Sequence, residues 1–223
     1  MRIFCLIAAA LTLVPLRGDP QTALRSFKPV SGEESEQLMN QLLPPAKFNL
    51  SLRRFVFTIR ILPPFSPLTQ ITVEYDLGCK ATITASRLRE RWSQTINLYK
   101  EQNGQLPDLP ELKRMFTVDV RKTEAGRETA EKQLNGFWAV LGERSRSGTA
   151  QTLKDDGTDL ITFYHPDATL YEVRFQDYRD YIKFSTPGGD PSEGRPPSDQ
   201  LDPLVRWILS VDDEFGVKPS GGK

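Results

Sequence analysis

The 223-residue chain is poor in the residues that build metal and catalytic sites. It holds one histidine and two cysteines, which is too few for the usual four-ligand zinc site of cysteine and histidine. It contains no glycine-rich phosphate-binding motif, no His-Glu-x-x-His and no Gly-x-Ser-x-Gly. The nucleotide-binding and hydrolase classes that depend on these motifs are therefore excluded. The sequence assigns no catalytic residue, no metal ligand and no cofactor.

An excess of charge of either sign is also missing. The 29 lysines and arginines balance 29 aspartates and glutamates, so that the formal net charge is zero. A general nucleic-acid-binding protein needs a basic surface to displace phosphate counterions, and we therefore expect no nucleic-acid partner. With 38% hydrophobic and 26% charged residues, the composition is typical of a folded chain, and the length suits one domain of ordinary size.

Long apolar runs are confined to the N-terminus. Residues 3–16 are nearly all apolar, but a helix needs about 20 such residues to cross a bilayer. Arg2 precedes the run, and Pro15, Arg17 and Gly18 interrupt or follow it, which indicates a secretory signal peptide over residues 1–18. No Ala-x-Ala cleavage triplet ends the run, so an uncleaved membrane anchor is the alternative. We predict a secreted or periplasmic protein with no membrane span after signal removal.

Signal removal would leave Cys79 as a lone cysteine, because Cys5 lies within the signal. A lone cysteine cannot form an internal disulfide, and in an oxidising compartment it is buried, bridged to another molecule or reactive. Strand alternation would place Cys79 on one face with Ala81 and Ile83, which favours a small buried core residue. The alternative is a nucleophile with His165 as its base, although nothing in the sequence brings the two residues together.

Alternation of apolar and polar residues with a period of two indicates several strands. It is strongest over residues 54–61 and 69–77, with further strands expected at 79–85 and 116–121 and a meander over 149–185. Strands follow strands more often than they alternate with helices. The predicted fold class is therefore α+β, with one or more largely antiparallel sheets packed against about four helices.

Capping residues and 3.6-residue periodicity predict where the helices lie. Ser31 and Glu34 have the spacing of a capping box, and Ser86 is expected to cap a second helix. Residues 126–142 are expected to form a third helix. Asp202-Pro203 predicts the start of a C-terminal helix. The predicted organisation is a signal peptide or anchor at 1–18, an α+β domain at 19–185, a flexible Pro/Gly/Ser-rich loop at 186–201, a C-terminal helix packed on the domain at 202–216 and a disordered tail at 217–223.

The meander contains the candidate binding residues. Alternation places Tyr164 on an exposed face and Tyr178 in a turn, where Arg174 and Arg179 could join them in an aromatic and basic patch. Tyrosine and arginine are favoured in protein interfaces, so such a patch suits a protein partner or a glycan. The alternative is an ordinary half-buried sheet with polar cover. The acidic residues at 155–159 are explained by a hairpin turn rather than by a calcium site.

These features together favour an exported, non-enzymatic binding or interaction domain, whose partner is a protein or another component of the cell envelope or secretome. An exported hydrolase or transferase with a site built from Cys79 or from dispersed carboxylates is the first alternative. A membrane-tethered assembly subunit, with residues 3–16 left uncleaved, is the second.

Overall fold

A computed structural model describes residues 28–146, 169–188 and 202–218 of the chain. The described strands are β1 (Arg53–Leu62), β2 (Thr69–Asp76), β3 (Ala81–Leu88), β4 (Val118–Ala125), β5 (Thr169–Asp177) and β6 (Tyr181–Gly188). The described helices are α1 (Gly32–Leu42), α2 (Trp92–Asn103), α3 (Leu109–Met115), α4 (Arg127–Arg146) and α5 (Pro203–Phe215).

The six strands form one antiparallel sheet in the order β4-β3-β2-β1-β5-β6. Strand β1 lies inside the sheet, where Phe57 is paired with Val73 of β2 and with Phe175 of β5. The predicted α+β class, the antiparallel pairing and the C-terminal helix are confirmed.

Helices α4 and α5 cover one face of the sheet and enclose the larger core. The ring of Phe57 contacts Phe137 of α4 at a centroid distance of 5.1 Å and Trp207 of α5 at 5.8 Å. A β-carbon added at Gly136 would lie 2.9 Å from Nε1 of Trp207. Glycine at this position of α4 costs about 1 kcal/mol relative to alanine, and the close approach of α5 is the reason that it is needed.

The opposite face of the sheet is apolar at one end and polar at the other. Helices α1, α2 and α3 cover the apolar end, where a second core contains Leu38 of α1, Leu88 of β3 and Leu112 of α3. In the same core Trp92 stacks on Phe116 at a centroid distance of 4.9 Å. The polar end carries the alternate residues of β1, β5 and β6, and the candidate site lies there.

Two local predictions are corrected by the structure. Ser86 does not cap a helix, because it is paired with Gln70 and Val120 inside the sheet, and α2 begins only at Trp92. Cys79 is not part of a strand but lies in the turn between β2 and β3 with a φ of 65°. The carboxylate of Asp76 accepts a 2.8 Å hydrogen bond from the backbone N–H of Lys80, which stabilises this turn.

The capping predictions for α1 and α5 are confirmed. The Ser31–Glu34 capping box forms, and the Asp202 side chain caps α5 ahead of Pro203. Strands β5 and β6 correspond to the second half of the predicted meander, and β6 extends through Gly188. The predicted signal at 1–18 and the first half of the meander lie outside the described residues. Within the described ranges, no helix has both the length and the apolar character that crossing a membrane requires.

Candidate functional site

A fully buried arginine lies at the centre of the polar face. Arg60 of β1 donates from Nε to Oε1 of Gln70 at 2.7 Å and from Nη2 to Oδ1 of Asn40 and the carbonyl of Leu43, both at 2.8 Å. Its Nη1 lies 3.8 Å from Oε1 of Glu172. Burial lowers the pKa of Arg60 to about 10, although Glu172 opposes the decrease. The guanidinium is therefore still charged at neutral pH, and it links α1 to the sheet.

A second arginine is held rigidly beside the first. Arg174 of β5 donates from Nε to Glu172 at 2.6 Å and from Nη2 to Glu36 of α1 at 2.7 Å, and Lys183 of β6 donates to Glu36 at 3.1 Å. Burial alone would lower the pKa of Arg174, but Glu172 and Glu36 outweigh it and the pKa is raised. Burial also acts against ionisation of Glu36, yet Lys183 and Arg174 outweigh it and lower the pKa of that carboxyl. Arg174 and Glu36 are therefore both charged near neutrality.

A cavity of about 370 Å³ lies next to Arg174, between the segment that follows α1 and the sheet. Its lining residues are Pro45, Ala46, Lys47, Phe48, Val56, Thr58, Arg174, Phe175, Gln176 and Tyr181. The backbone N–H of Ala46 donates to Oγ1 of Thr58 at 3.2 Å and so fastens the segment to β1. This volume is at the small end of the range of roughly 300–1,000 Å³ found for ligand pockets.

The cavity combines apolar walls with charged and hydrogen-bonding groups. Phe48 and Val56 supply apolar surface, whereas Gln176 supplies an amide. Lys47 and Tyr181 are exposed and mark the opening to solvent. None of the ion pairs within the described residues involves Lys47, so its charge is available to a ligand.

The predicted aromatic and basic patch is divided between two places. Arg174 is half-buried in the cavity, where Glu36 and Glu172 bind its guanidinium. Tyr178 and Arg179 lie together in the turn between β5 and β6, with Cζ of Arg179 at 4.9 Å from the ring centroid of Tyr178. Tyr164 lies outside the described residues.

Sequence reasoning missed Arg60, Glu172, Lys47 and Tyr181 as members of the site. Arg60 and Glu172 occupy the polar phase of amphipathic strands, where a solvent-exposed side chain is the ordinary expectation. The sign of their charges was an available signal, because opposite charges on neighbouring strands attract when the strands are in register. That register, with Arg60 paired with Glu172, is seen only in the folded sheet.

Cys79 is half-buried and contacts a different set of groups. The neighbouring Tyr75 side chain is buried, and its hydroxyl lacks a hydrogen-bond partner within the described residues. Burial raises the pKa of Tyr75, and the adjacent Cys79 raises it further. The Arg127–Glu131 ion pair of α4 acts electrostatically on the same tyrosine, while His165 lies outside the described residues. No group of three or more metal-ligating side chains comes together in the ranges that the structure describes.

Comparison of the chain with protein-family models, with curated proteins and with solved structures finds no match. Function is therefore inferred from the geometry of the cavity and of the exposed surfaces.

Proposed function

We propose that this protein is an exported, non-enzymatic binding domain whose partner enters the cavity beside Arg174. The observation that carries the proposal is the fixed position of that guanidinium, which Glu36 and Glu172 hold at 2.7 Å and 2.6 Å at the edge of an apolar-walled cavity. A site whose polar groups are already ordered loses little conformational entropy when a ligand binds, which favours affinity.

The lining indicates the chemistry of the ligand. The apolar surface of Phe48 and Val56 suits an aliphatic or aromatic group, and the unpaired charge of Lys47 suits a carboxylate. Gln176 can both donate and accept hydrogen bonds, as an amide-containing backbone requires. An extended segment of a partner protein, with an apolar side chain next to an acidic one, satisfies all three groups.

Export is supported by the composition of residues 1–18, in which a single arginine precedes a short apolar run. N-terminal sequencing of the protein recovered outside the cytoplasm distinguishes a cleaved signal from a retained anchor. A mature N-terminus near residue 19 is expected. Retention of Met1 would favour the membrane-tethered alternative.

The binding proposal is tested by photo-crosslinking in cells that export the full chain. A photoreactive phenylalanine analogue replaces Tyr181 at the opening of the cavity, and a matched variant carries it at Leu98, which is 50% exposed on α2. We expect a discrete adduct from position 181 that weakens when Lys47→Glu is added and that position 98 does not form. Identical adducts at both positions, or none at position 181, would contradict the proposal.

A second candidate is an exported hydrolase or transferase that uses Cys79. One observation favours it: the hydroxyl of Tyr75 is buried against the cysteine without a hydrogen-bond partner within the described residues. This function requires a thiol that reagents reach in the folded protein. Labelling of Cys79 only after denaturation would eliminate the hydrolase or transferase function. Labelling under native conditions that is slowed by ligands of the cavity is expected from neither function, because Cys79 does not line the cavity.

A further inference from the structure

Three turns meet at the end of the sheet that lies away from α1, α2 and α3. Residues 49–52 precede β1, residues 77–80 connect β2 to β3, and residues 178–180 connect β5 to β6. Because β1 lies between β2 and β5, the first turn lies between the other two. Adjacent strands are about 4.8 Å apart, so the three turns occupy one small surface. The backbone N–H of Leu77 donates to the carbonyl of Leu52 at 3.2 Å and joins two of them directly.

Large apolar side chains project from these turns into solvent. Leu50 is 66% exposed, Leu52 58% and Leu77 51%, and Tyr178 in the third turn is 62% exposed. A single exposed leucine is ordinary on a protein surface. Three leucines on two hydrogen-bonded turns, with a tyrosine on the next turn, form a concentrated apolar tip rather than scattered exposure.

Cations surround this apolar tip. Lys47, Arg54, Lys80 and Arg179 are all exposed, whereas Asp180 is the one exposed acid in the described turns and their flanks at 47–54, 76–80 and 177–181. The two other acids of these segments face their own backbones. Asp76 accepts from the N–H of Lys80 at 2.8 Å, and Asp177 accepts from the N–H groups of Arg179 and Asp180 at 2.7 Å.

The first turn of α4 begins at the same end of the sheet and adds no net positive charge. Arg127 is paired with Glu131 at 2.6 Å, and Glu128 is exposed. At this end of the sheet, the excess of exposed cations therefore comes from the apolar tip and its immediate flanks and not from the first turn of α4. The electrostatic complement of such a tip is an anionic surface.

We propose that these three turns dock the protein on the surface of a bilayer that contains anionic lipid. Leu50, Leu52 and Leu77 enter the interface, Tyr178 lies at the level of the headgroups, and the surrounding cations contact lipid phosphates. Projecting leucines with a tyrosine and a basic surround have the composition that interfacial binding requires. The apolar tip is distinct from the cavity, because none of the three leucines lines it; Lys47 is the one cation that the two share.

The test is co-sedimentation with vesicles of phosphatidylcholine alone or of equimolar phosphatidylcholine and phosphatidylglycerol. The chain from residue 19 onward is used, since the apolar run at 3–16 would itself partition into lipid. It retains every contact described above, because the described fold begins at Lys28. Cooperative thermal unfolding is verified first. The full chain is tested in parallel by amide hydrogen exchange of the three turns. This measurement reports on the turns themselves and not on binding through the N-terminal apolar run.

We expect binding to the anionic vesicles that weakens with salt, and weaker binding to the neutral ones. Combining Leu50→Ser, Leu52→Ser and Leu77→Ser should reduce partitioning by at least about tenfold, given the transfer free energy of buried leucine side chains. Leu98→Ser, which changes an exposed leucine on α2, should leave partitioning unchanged. In the full chain, anionic vesicles should slow amide exchange in the three turns.

Three results would overturn the proposal. They are equal binding to neutral and anionic vesicles, wild-type binding by the triple serine variant, and unchanged exchange in the turns of the vesicle-bound full chain. Self-association that requires the leucines, with no vesicle binding, would also overturn it and would assign the tip to a second copy of the chain. None of these results bears on crosslinking at position 181, which tests the cavity separately.

Discussion

Replacement of Arg60 by methionine isolates the contribution of the buried guanidinium to folding. Methionine occupies much of the space of the arginine stem but donates no hydrogen bond. The substitution leaves the carbonyl of Leu43 and the side-chain oxygens of Asn40 and Gln70 without the three donors that now lie at 2.7–2.8 Å. Glu172 keeps its 2.6 Å ion pair with Arg174, so no buried carboxylate is left uncompensated.

These contacts set the expected loss of stability. A hydrogen bond to a charged group contributes about 1.5–3 kcal/mol, whereas loss of the 3.8 Å contact with Glu172 adds little because that carboxylate stays paired with Arg174. Removing a buried charge also relieves its desolvation cost, which is large enough to lower the pKa of Arg60 to about 10. We therefore expect Arg60→Met to lower the free energy of unfolding by about 3 kcal/mol, which is less than the sum for three such hydrogen bonds.

Urea unfolding monitored by circular dichroism measures this loss, and Arg53→Met is the matched control. Arg53 lies on the same strand and pairs with Glu74 at 2.9 Å, but both side chains are about a quarter exposed. A surface ion pair contributes at most about 1 kcal/mol. If Arg60→Met destabilises the protein no more than Arg53→Met does, the buried network does not stabilise the fold and the reasoning is refuted.

Three further predictions follow from the geometry. Gly136→Ala should lower the free energy of unfolding by about 1 kcal/mol, because overpacking against Trp207 outweighs the gain in helix propensity; Gly142→Ala in the same helix meets no atom within 4 Å and should stabilise, so equal effects in thermal melts would contradict the packing argument. The pKa of Glu36 is lowered in the folded protein, so its stabilising contribution is present above the ordinary value of 4.5 and is lost as pH falls through the folded pKa. Glu36→Gln should accordingly show a shallower loss of stability on acidification below 4.5 in urea titrations, and an unchanged slope would refute the assignment. Ser31→Ala removes the 3.2 Å capping hydrogen bond of α1 and should cost about 1 kcal/mol in the same assay; no measurable loss would show that the capping box does not stabilise α1.

Strand alternation and capping motifs were sufficient to predict much of the fold because both are local. From Ile71 onward, β2 alternates between residues buried against α4 and α5 and half-buried residues, which is the pattern that a period of two predicts. β1 has the same alternation of residue type, although Thr58 and Arg60 on its other face are buried as well. The caps at Ser31 and Asp202 depend only on residues within three positions of each other. Neither prediction depends on residues that are far apart in the sequence.

The helix expected from Ser86 shows where local patterns mislead. Leu88 and Trp92 are spaced as on one helix face, and both are buried in the same core. They nevertheless belong to β3 and to α2, which a short connection brings to the same side of the sheet. Spacing of apolar residues reports burial, and it identifies the element only when the burial comes from one continuous helix or strand.

The candidate site could be predicted less well because it depends on pairing between distant strands. The type and strand of Arg174 make it a candidate binding residue, and that prediction stays untested; its two carboxylate partners come from α1 and from its own strand. Register determines that Thr58 lies beside Arg174 and Arg60 beside Glu172. Such register depends on the whole sheet, so the sequence of one strand does not contain it.

The network of charges also determines where the cavity forms. Arg60 binds Asn40 and the carbonyl of Leu43 at the end of α1, and Arg174 binds Glu36 earlier in the same helix. Helix α1 leads directly into the segment 45–48 that forms one wall of the cavity. Apolar contacts would hold α1 against the sheet in a range of orientations. Directed hydrogen bonds from two arginines allow a single orientation of the helix. Shape of the cavity and stability of the fold are therefore coupled through the same two guanidinium groups.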